Sequence, residues 1–372
     1  MNPFSYGTIV KKPYFFDREE ECKRIVATLS GGNNLVLFAP RRFGKTSLVF
    51  RAIEELEKKG FICIYFDFMP IYSREWFIEA YSKAIISKQD NIQKAIKAFT
   101  KFVKSIRPKL IFNKSGNPEF SLEFTETKIN EKTLGEILDL PENITTSNKR
   151  FIVILDEFQE INKLNGENFE NLFRSKIQKH QNVNYLFLGS RTHLLSDMFN
   201  NKARAFYNAA MLMQIGFLPQ NETIEFIISR FASSNIHIEQ GTAHFLIEQA
   251  GNIPYYIQLL AAEVWQQVVA SSLKIDKKLI VMCAEKIVDL KSDYYYELYG
   301  RLTMYQKKLL KALVVSGENV FSAGYAKKFR LSAASTTQKA IIGLVESGVI
   351  EKTEGCYFIG DPFLKQFLTR YA

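Results

Sequence analysis

Residues 39–47 read Ala39-Pro40-Arg41-Arg42-Phe43-Gly44-Lys45-Thr46-Ser47, and the reading of this stretch decides the fold. It matches the pattern GxxxxGK[ST] at every fixed position except the first, where Ala39 stands in place of Gly. In such a loop backbone N–H groups wrap phosphates, and the start of the following helix adds a favourable dipole. The pattern carries weight only between a strand and a helix, and both are predicted here. Residues 35–39 (LVLFA) form an apolar run suited to a buried parallel strand. Over residues 45–58 apolar side chains recur at Leu48, Ile53 and Leu56 among charges, which is helical spacing, and Gly60 ends it. Lys45 is expected to reach the β- and γ-phosphates of a nucleotide, and the Thr46 hydroxyl to bind Mg²⁺. Gly44 keeps the position nearest the phosphates free of a side chain, so Ala39 is a mild departure.

Working outward, residues 61–68 (FICIYFDF) read as a second buried strand and 75–105 as helix, with Trp76, Phe77, Ala80, Ile85 and Ile86 as core positions. Residues 109–113 and 119–124 flank Ser115-Gly116-Asn117-Pro118, and Phe120, Leu122 and Phe124 alternate with Ser121 and Glu123. That is a β-hairpin inserted between sheet strands. A helix at 131–139 and a polar stretch at 141–150 follow. Residues 151–155 (FIVIL), 185–189 (YLFLG) and 211–215 (MLMQI) read as further strands, with a helix at 167–179. Strands alternating with helices predict an α/β fold with a parallel sheet. After Phe217-Leu218-Pro219 the strands stop, and 221–233, 240–250, 254–271 and 276–290 carry helical periodicity. Residues 303–315, 322–329 and 333–347 read as three more helices. Two short strands near 349–352 and 356–359 turn at Glu354-Gly355, which is the outline of a winged helix-turn-helix. The expected domains are a phosphate-loop core at 1–218 with its inserted hairpin near 107–148, a helical lid at 219–295 and a winged helix at 296–372.

Asp156 and Glu157 stand just past the apolar run 151–155, where ligand sites gather on parallel sheets. Asp156 is expected in the Mg²⁺ shell, and Glu157 as the group that orients and activates water. Ser190, after the next strand, is placed either to sense a γ-phosphate or to cap a strand-to-helix turn. Arg41 and Arg42 suit phosphate charge, acidic partners or plain solvation. Pro254, in Gly251-Asn252-Ile253-Pro254, brings backbone from the helical region towards a nucleotide.

The chain has 372 residues, enough for two or three domains. No apolar run approaches the about 20 residues that cross a bilayer, and residues 1–12 have no signal-peptide core, which places the protein in the cytoplasm, off the membrane. Cys22, Cys63, Cys283 and Cys356 are scattered, so reduced thiols are expected rather than a disulfide or zinc framework. The four histidines show no metal-ligand spacing. The net charge is +10, and residues 300–372 hold 11 Lys and Arg against 5 Asp and Glu. A basic end suits either nucleic acid or a solvated surface.

Together these pieces resemble the archaeal-type ATPases of the STAND class, relatives of the AAA+ proteins. The residues that carry the resemblance are Phe16-Asp17-Arg18-Glu19-Glu20, the loop 39–47 and Ile152-Val153-Ile154-Leu155-Asp156-Glu157-Phe158-Gln159. Gly189-Ser190, Phe217-Leu218-Pro219 and Gly251-Asn252-Ile253-Pro254 complete the set in the family's order. The resemblance implies a sheet of order 5-1-4-3-2, a helical lid and a winged helix. It also implies ATP and Mg²⁺ as ligands, contact of Pro254 with nucleotide, and slow hydrolysis that works as a switch. An arginine donated by a neighbouring subunit would be Arg204, with Arg174 behind it. The alternative is a DNA-binding regulator or initiator-like factor whose winged helix is controlled by ATP. There Ser332 would cap the helix 333–347, exposing Ser335, Thr336, Thr337, Gln338 and Lys339 for weak DNA binding, with Lys327, Lys328 and Arg330 on the backbone. Packing of that domain on a protein partner is the competing use, and a non-hydrolysing ATP scaffold is a third reading.

Overall fold

The computed structural model describes residues 2–9, 15, 18–89, 92–104, 106–112, 118–124, 129–145, 150–164, 166–271, 273–353 and 355–371. Contacts divide the chain into two compact units, Glu19–Ala39 with Leu48–Gln214, and Met1–Arg18 with Pro40–Ser47 and Ile215–Ala372.

The first unit holds β1 (Leu35–Phe38), β2 (Ile62–Asp67), β3 (Ile106–Phe112), β4 (Pro118–Phe124), β5 (Phe151–Asp156), β6 (Val183–Gly189) and β7 (Met211–Gln214). Five of these form one parallel sheet in the order β2-β5-β6-β1-β7. Counting only those five along the chain, this is the expected order 5-1-4-3-2. The continuous apolar runs follow from position: β5 and β6 are buried at every residue, because they have strands on both sides and helices on both faces. Phe38 is opposite Gly189 and Leu155 opposite Phe187, so β1, β5 and β6 end along one edge of the sheet. β3 and β4 pair antiparallel as the inserted hairpin, with Phe120 and Leu122 buried; its turn residues 113–117 lie outside the described residues.

Helix prediction over 75–105 is corrected in this unit. There are two helices, Arg74–Ile86 and Ile92–Phe102. The first ends where the Ser87 N–H bonds the Lys83 carbonyl at 2.9 Å. Phe77, Ile85 and Ile86 are core, but Trp76 is 43% exposed and stacks on Tyr72 at 5.2 Å. Ile78 and Tyr81 take the inner face instead. The polar stretch 141–150 begins inside a short helix, Leu140–Ile144, and a 3₁₀ helix, Phe158–Leu164, follows β5.

The second unit is helical before it is winged. Its helices Gln220–Ala232, Gln240–Gln249, Pro254–Ser271 and Lys277–Leu290 match the periodicity, with Pro254 at the first helical position and Asp276 accepting from the Leu279 N–H at 2.8 Å as a cap. A fifth, Ser292–Gly300, leads to Met304–Val315, Ala323–Lys328 and Ala334–Glu346. β8 (Ile350–Thr353) and β9 (Cys356–Ile359) pair antiparallel as the wing, with Glu354 of their turn outside the described residues. A last helix, Pro362–Tyr371, was not anticipated, although Asp361-Pro362 announces it: Asp361 accepts from the Phe363 N–H at 2.9 Å. Among the described residues no helix is long and apolar enough to cross a membrane.

Candidate functional site

The candidate residues fall into two constellations, one in each unit. In the sheet unit, Asp156 ends β5 and is buried. Its Oδ1 accepts from the Glu157 N–H at 2.9 Å, and its Oδ2 accepts from the Tyr65 hydroxyl. Burial and the neighbouring Asp156 charge push the Tyr65 phenol well above its ordinary pKa, so it stays a donor. The chain then turns sharply. Phe158 is buried against Phe187 and Phe206, with ring centroids 4.7 and 5.1 Å away, and the Glu160 N–H bonds the Glu157 carbonyl at 2.9 Å. Between these fixed points Glu157 takes a left-handed φ of 50°. A non-glycine residue adopts that conformation only when its surroundings hold it there. Its Oε2 accepts from the Ser190 hydroxyl at 2.9 Å, the Ser190 N–H at 3.3 Å and the Gln159 amide at 2.5 Å.

In the other unit, the loop residues Arg41, Arg42 and Phe43 are packed on later parts of the chain. Phe43 is 1% exposed and forms a three-ring cluster with Phe217 and Phe358 at 5.2 and 6.2 Å. Arg42 has φ 70°, lies over the Tyr255 and Tyr256 rings at 5.4 and 5.1 Å, and donates to the Tyr256 hydroxyl. Its carbonyl accepts from the Tyr255 N–H at 3.4 Å, which ties the loop to the residue after Pro254. Its guanidinium is 3.9 Å from Asp361, which also accepts from Tyr295 at 3.0 Å and Lys291 at 3.3 Å. Arg41 faces Glu351 on β8. Burial pushes the Glu351 carboxyl up to about 7, against the opposing pull of the Arg41 charge, the Arg41 amide and Arg42.

The loop fits a phosphate chain. Gly44 has φ 81°, and a Cβ built there would meet nothing within 4 Å, so open space faces the loop backbone. Helix Lys45–Lys58 starts immediately after it, offering N–H groups at its N-terminus. Ala39 is buried and does not take a positive φ, so the replaced glycine was not needed for its conformation. The Thr46 hydroxyl and the Asp156 carboxylate are hard oxygen donors, the type that suits Mg²⁺.

Residues 15–241, more than half of the chain, match the model of an ATPase domain predominantly from Archaea. The chain belongs to that family. Residues 293–370 match a second model, described as a probable winged helix domain. Among relatives, an uncharacterized ATP-binding protein of Pyrococcus horikoshii is 25% identical over 252 residues, covering 65% of this chain and 73% of that protein. An uncharacterized ATP-binding protein of Methanocaldococcus jannaschii is 28% identical over 240 residues, covering 58% of each. The chain thus spans less than two thirds of the second relative's length. Among solved structures, a Walker-type ATPase of Pyrococcus abyssi superposes with a TM-score of 0.66 at 20% identity over 99% of both chains. The ORC2 protein of Aeropyrum pernix gives 0.55 at 13% identity, covering 98% of this chain and 96% of that one. At these identities the likeness is one of fold.

Against that family the sequence expectations sort by element. Asp156, Glu157 and Ser190 come together at the edge where β5 and β6 end. In the loop, Lys45 and Ser47 are buried, Thr46 and Gly44 half-buried, and Pro40 buried. Arg41 and Arg42, left between phosphate, partner and solvent, engage Glu351, the Tyr255–Tyr256 pair and Asp361 of their own chain. Arg204, the candidate for a donated arginine, pairs with buried Glu170 and, at 2.9 Å, with Asp197 of its own unit. Ser332 does not cap the helix Ala334–Glu346, whose N-cap position is Ala333 with no side-chain bond; the Ser332 N–H goes to the Tyr305 hydroxyl instead. Thr337 is buried on the inner face, 2.7 Å from that same hydroxyl, while Ser335, Thr336, Gln338 and Lys339 are exposed. Phe16 and Asp17 lie outside the described residues; Arg18 is buried and donates to the Gly216 carbonyl. Cys22, Cys63 and Cys283 are free and buried, and Cys356 is half-buried. Sequence reasoning gave no role to Tyr65, Tyr256, Glu351 or Asp361. Only Asp361 had a signal, the Asp-Pro helix start.

Proposed function

We propose that the chain binds ATP with Mg²⁺, hydrolyses it slowly to ADP and phosphate, and works as a nucleotide-controlled switch. In this reading the backbone of residues 39–47 wraps the phosphates, Lys45 reaches the β- and γ-phosphates, and Thr46 and Asp156 hold the metal. Mg²⁺ supplies neutralising charge on the phosphate oxygens. Glu157 orients the attacking water and accepts its proton, Ser190 steadies Glu157, and Pro254 approaches the nucleotide from the helical region. The domains would be a core at 1–218, a lid at 219–295 and a winged helix at 296–372. Placement in the STAND class, and with it the AAA+ relationship, rests on the order of the motifs and on the winged helix that follows the helical region.

The observation that carries the switch is the packing of Arg41, Arg42 and Phe43 against Glu351, Phe358, Asp361 and the start of helix Pro254–Ser271. The loop that must adapt to phosphates is also the loop that grips the wing, so the two states of the loop bias the C-terminal residues. Turnover of purified protein with Mg-ATP tests the reading. Slow release of phosphate is expected. Glu157→Gln should retain ATP binding but lose at least about a hundredfold in rate, since Gln bonds water without taking its proton. Equal rates in the two proteins would remove Glu157 from the mechanism.

A second reading, a DNA-binding regulator under ATP control, is favoured by one observation. Lys327, Lys328, Arg330 and Lys339 are all exposed around helix Ala334–Glu346, beside exposed Ser335, Thr336 and Gln338. No Arg lies on that helix to read guanine bidentately. Weak, sequence-indifferent binding that falls steeply with salt is therefore expected in a mobility-shift titration at two salt concentrations. Tight, salt-resistant binding to one sequence would promote the regulator over the switch.

A further inference from the structure

Glu157 is held by more than the serine that the motifs single out. Its Oε2 receives three donors, and the shortest of the three contacts comes from Gln159, whose amide nitrogen is 2.5 Å away. Gln159 is 3% exposed and sits at the start of the 3₁₀ helix Phe158–Leu164, two residues beyond the carboxylate it touches. Only a donor is attractive to a carboxylate at that distance, so the amide must present its nitrogen to Glu157 and its oxygen the other way. That oxygen lies over the end of β6, where a Cβ on Gly189 would stand 2.3 Å from it and 3.1 Å from Leu195. Gly189 does not take a positive φ, so backbone conformation does not call for glycine there. The close approach of the Gln159 amide does.

From this geometry we infer that Gln159 is a positioning residue for Glu157, and that position 189 is glycine to admit its side chain. Gln159 and Ser190 grip one carboxylate oxygen from two neighbouring turns, Gln159 from the turn after β5 and Ser190 from the turn after β6. The carboxylate cannot rotate without breaking three hydrogen bonds. A base that must meet a water in one orientation gains from such a grip, because misplacement by about 1 Å costs rate rather than binding. The inference rests on the hydrolytic reading given above. It adds that the Glu157 orientation is set by a residue two positions further along its own chain.

The test is a set of variants of the full chain, each measured for Mg-ATP turnover, affinity for a non-hydrolysable ATP analogue, and unfolding temperature. Gln159→Leu removes the donor while still filling the site with a side chain. It should lower kcat at least about tenfold and leave analogue affinity within about twofold. In a Glu157→Gln background the same substitution should change the residual rate by less than about twofold, because Gln159 acts only through the carboxylate. Gly189→Ala should lower both stability and rate by displacing the amide. Adding Gln159→Ala to it should restore the unfolding temperature by relieving the clash but leave the rate low. A parent protein without turnover would refute the hydrolytic reading and this inference with it. Parent turnover that Gln159→Leu leaves unchanged, or a loss that persists at full size in the Glu157→Gln background, would overturn the inference alone.

Discussion

Charge decides most at the scale of single residues. Lys45 is buried at the start of a helix whose first N–H groups lack intrahelical partners, a position that favours negative ligands. A charge-assisted contact to phosphate contributes about 1.5–3 kcal/mol. Lys45→Ala should therefore weaken binding of a non-hydrolysable ATP analogue by about tenfold to a hundredfold, read by isothermal titration. Unchanged affinity would move the binding site away from this loop. The residue types were legible here because GxxxxGK[ST] fixes Gly44, Lys45 and Thr46 by spacing alone. The partners of Arg41 and Arg42 were not legible, because Tyr255, Tyr256, Glu351 and Asp361 lie far along the chain and no local pattern links them.

Single elements are decided by how closely backbones approach. The wing is the clearest case. Gly317 follows the helix Met304–Val315, and its carbonyl accepts from the Tyr357 N–H at 3.0 Å. A Cβ at Gly317 would stand 1.5 Å from the Tyr357 carbonyl oxygen, which is backbone and cannot step aside as a side-chain tip would. Gly317→Ala should displace β9 and destabilise the unit by about 3 kcal/mol or more, a shift in urea midpoint with little effect on helix content. A midpoint like the parent's would show that β9 yields without cost. From sequence, Ser316-Gly317-Glu318-Asn319 is an ordinary loop. What makes Gly317 indispensable is the strand that crosses it, placed there by the chain forty residues on. The helix break after Ile86 falls at the polar run Ser87-Lys88-Gln89-Asp90-Asn91, which interrupts the apolar spacing, whereas the outward Trp76 was decided by the core, which takes Phe77 and Ile78 instead.

For the molecule as a whole, each unit is held by segments distant in sequence, and the loop 40–47 groups with residues 215–372. Glu351 makes that grouping sensitive to pH. Its carboxyl is raised from 4.5 to about 7, first by burial, with the Arg41 and Arg42 charges opposing. A carboxyl with a raised folded pKa binds its proton more tightly when folded. Its contribution to stability is fully present below about pH 4.5, declines as pH rises, and is gone above about pH 7. Glu351→Gln stays neutral throughout and removes this slope. The fall in unfolding temperature between pH 5 and pH 8 should be smaller in the variant than in the parent. An identical fall in both would mean that Glu351 titrates as an exposed carboxyl.

Apart from the strand order, which the family resemblance implied, the sequence by itself determined the sheet strands, the loop, the acid pair after β5, the four helices that follow 219 and the winged outline. These are local in origin: apolar period, turn residues and motif spacing operate within about a dozen residues. Only the tertiary structure decided that Glu157 is bonded by both Gln159 and Ser190, that a Cβ on Gly189 would meet the Gln159 amide and one on Gly317 the Tyr357 backbone, that Arg204 pairs with Glu170 and Asp197, and that Arg41, Arg42 and Phe43 pack on the wing, Asp361 and the Tyr255–Tyr256 pair. Each of those depends on which distant backbone comes within 4 Å. That is settled by close packing around a shared core, which no period along the chain encodes.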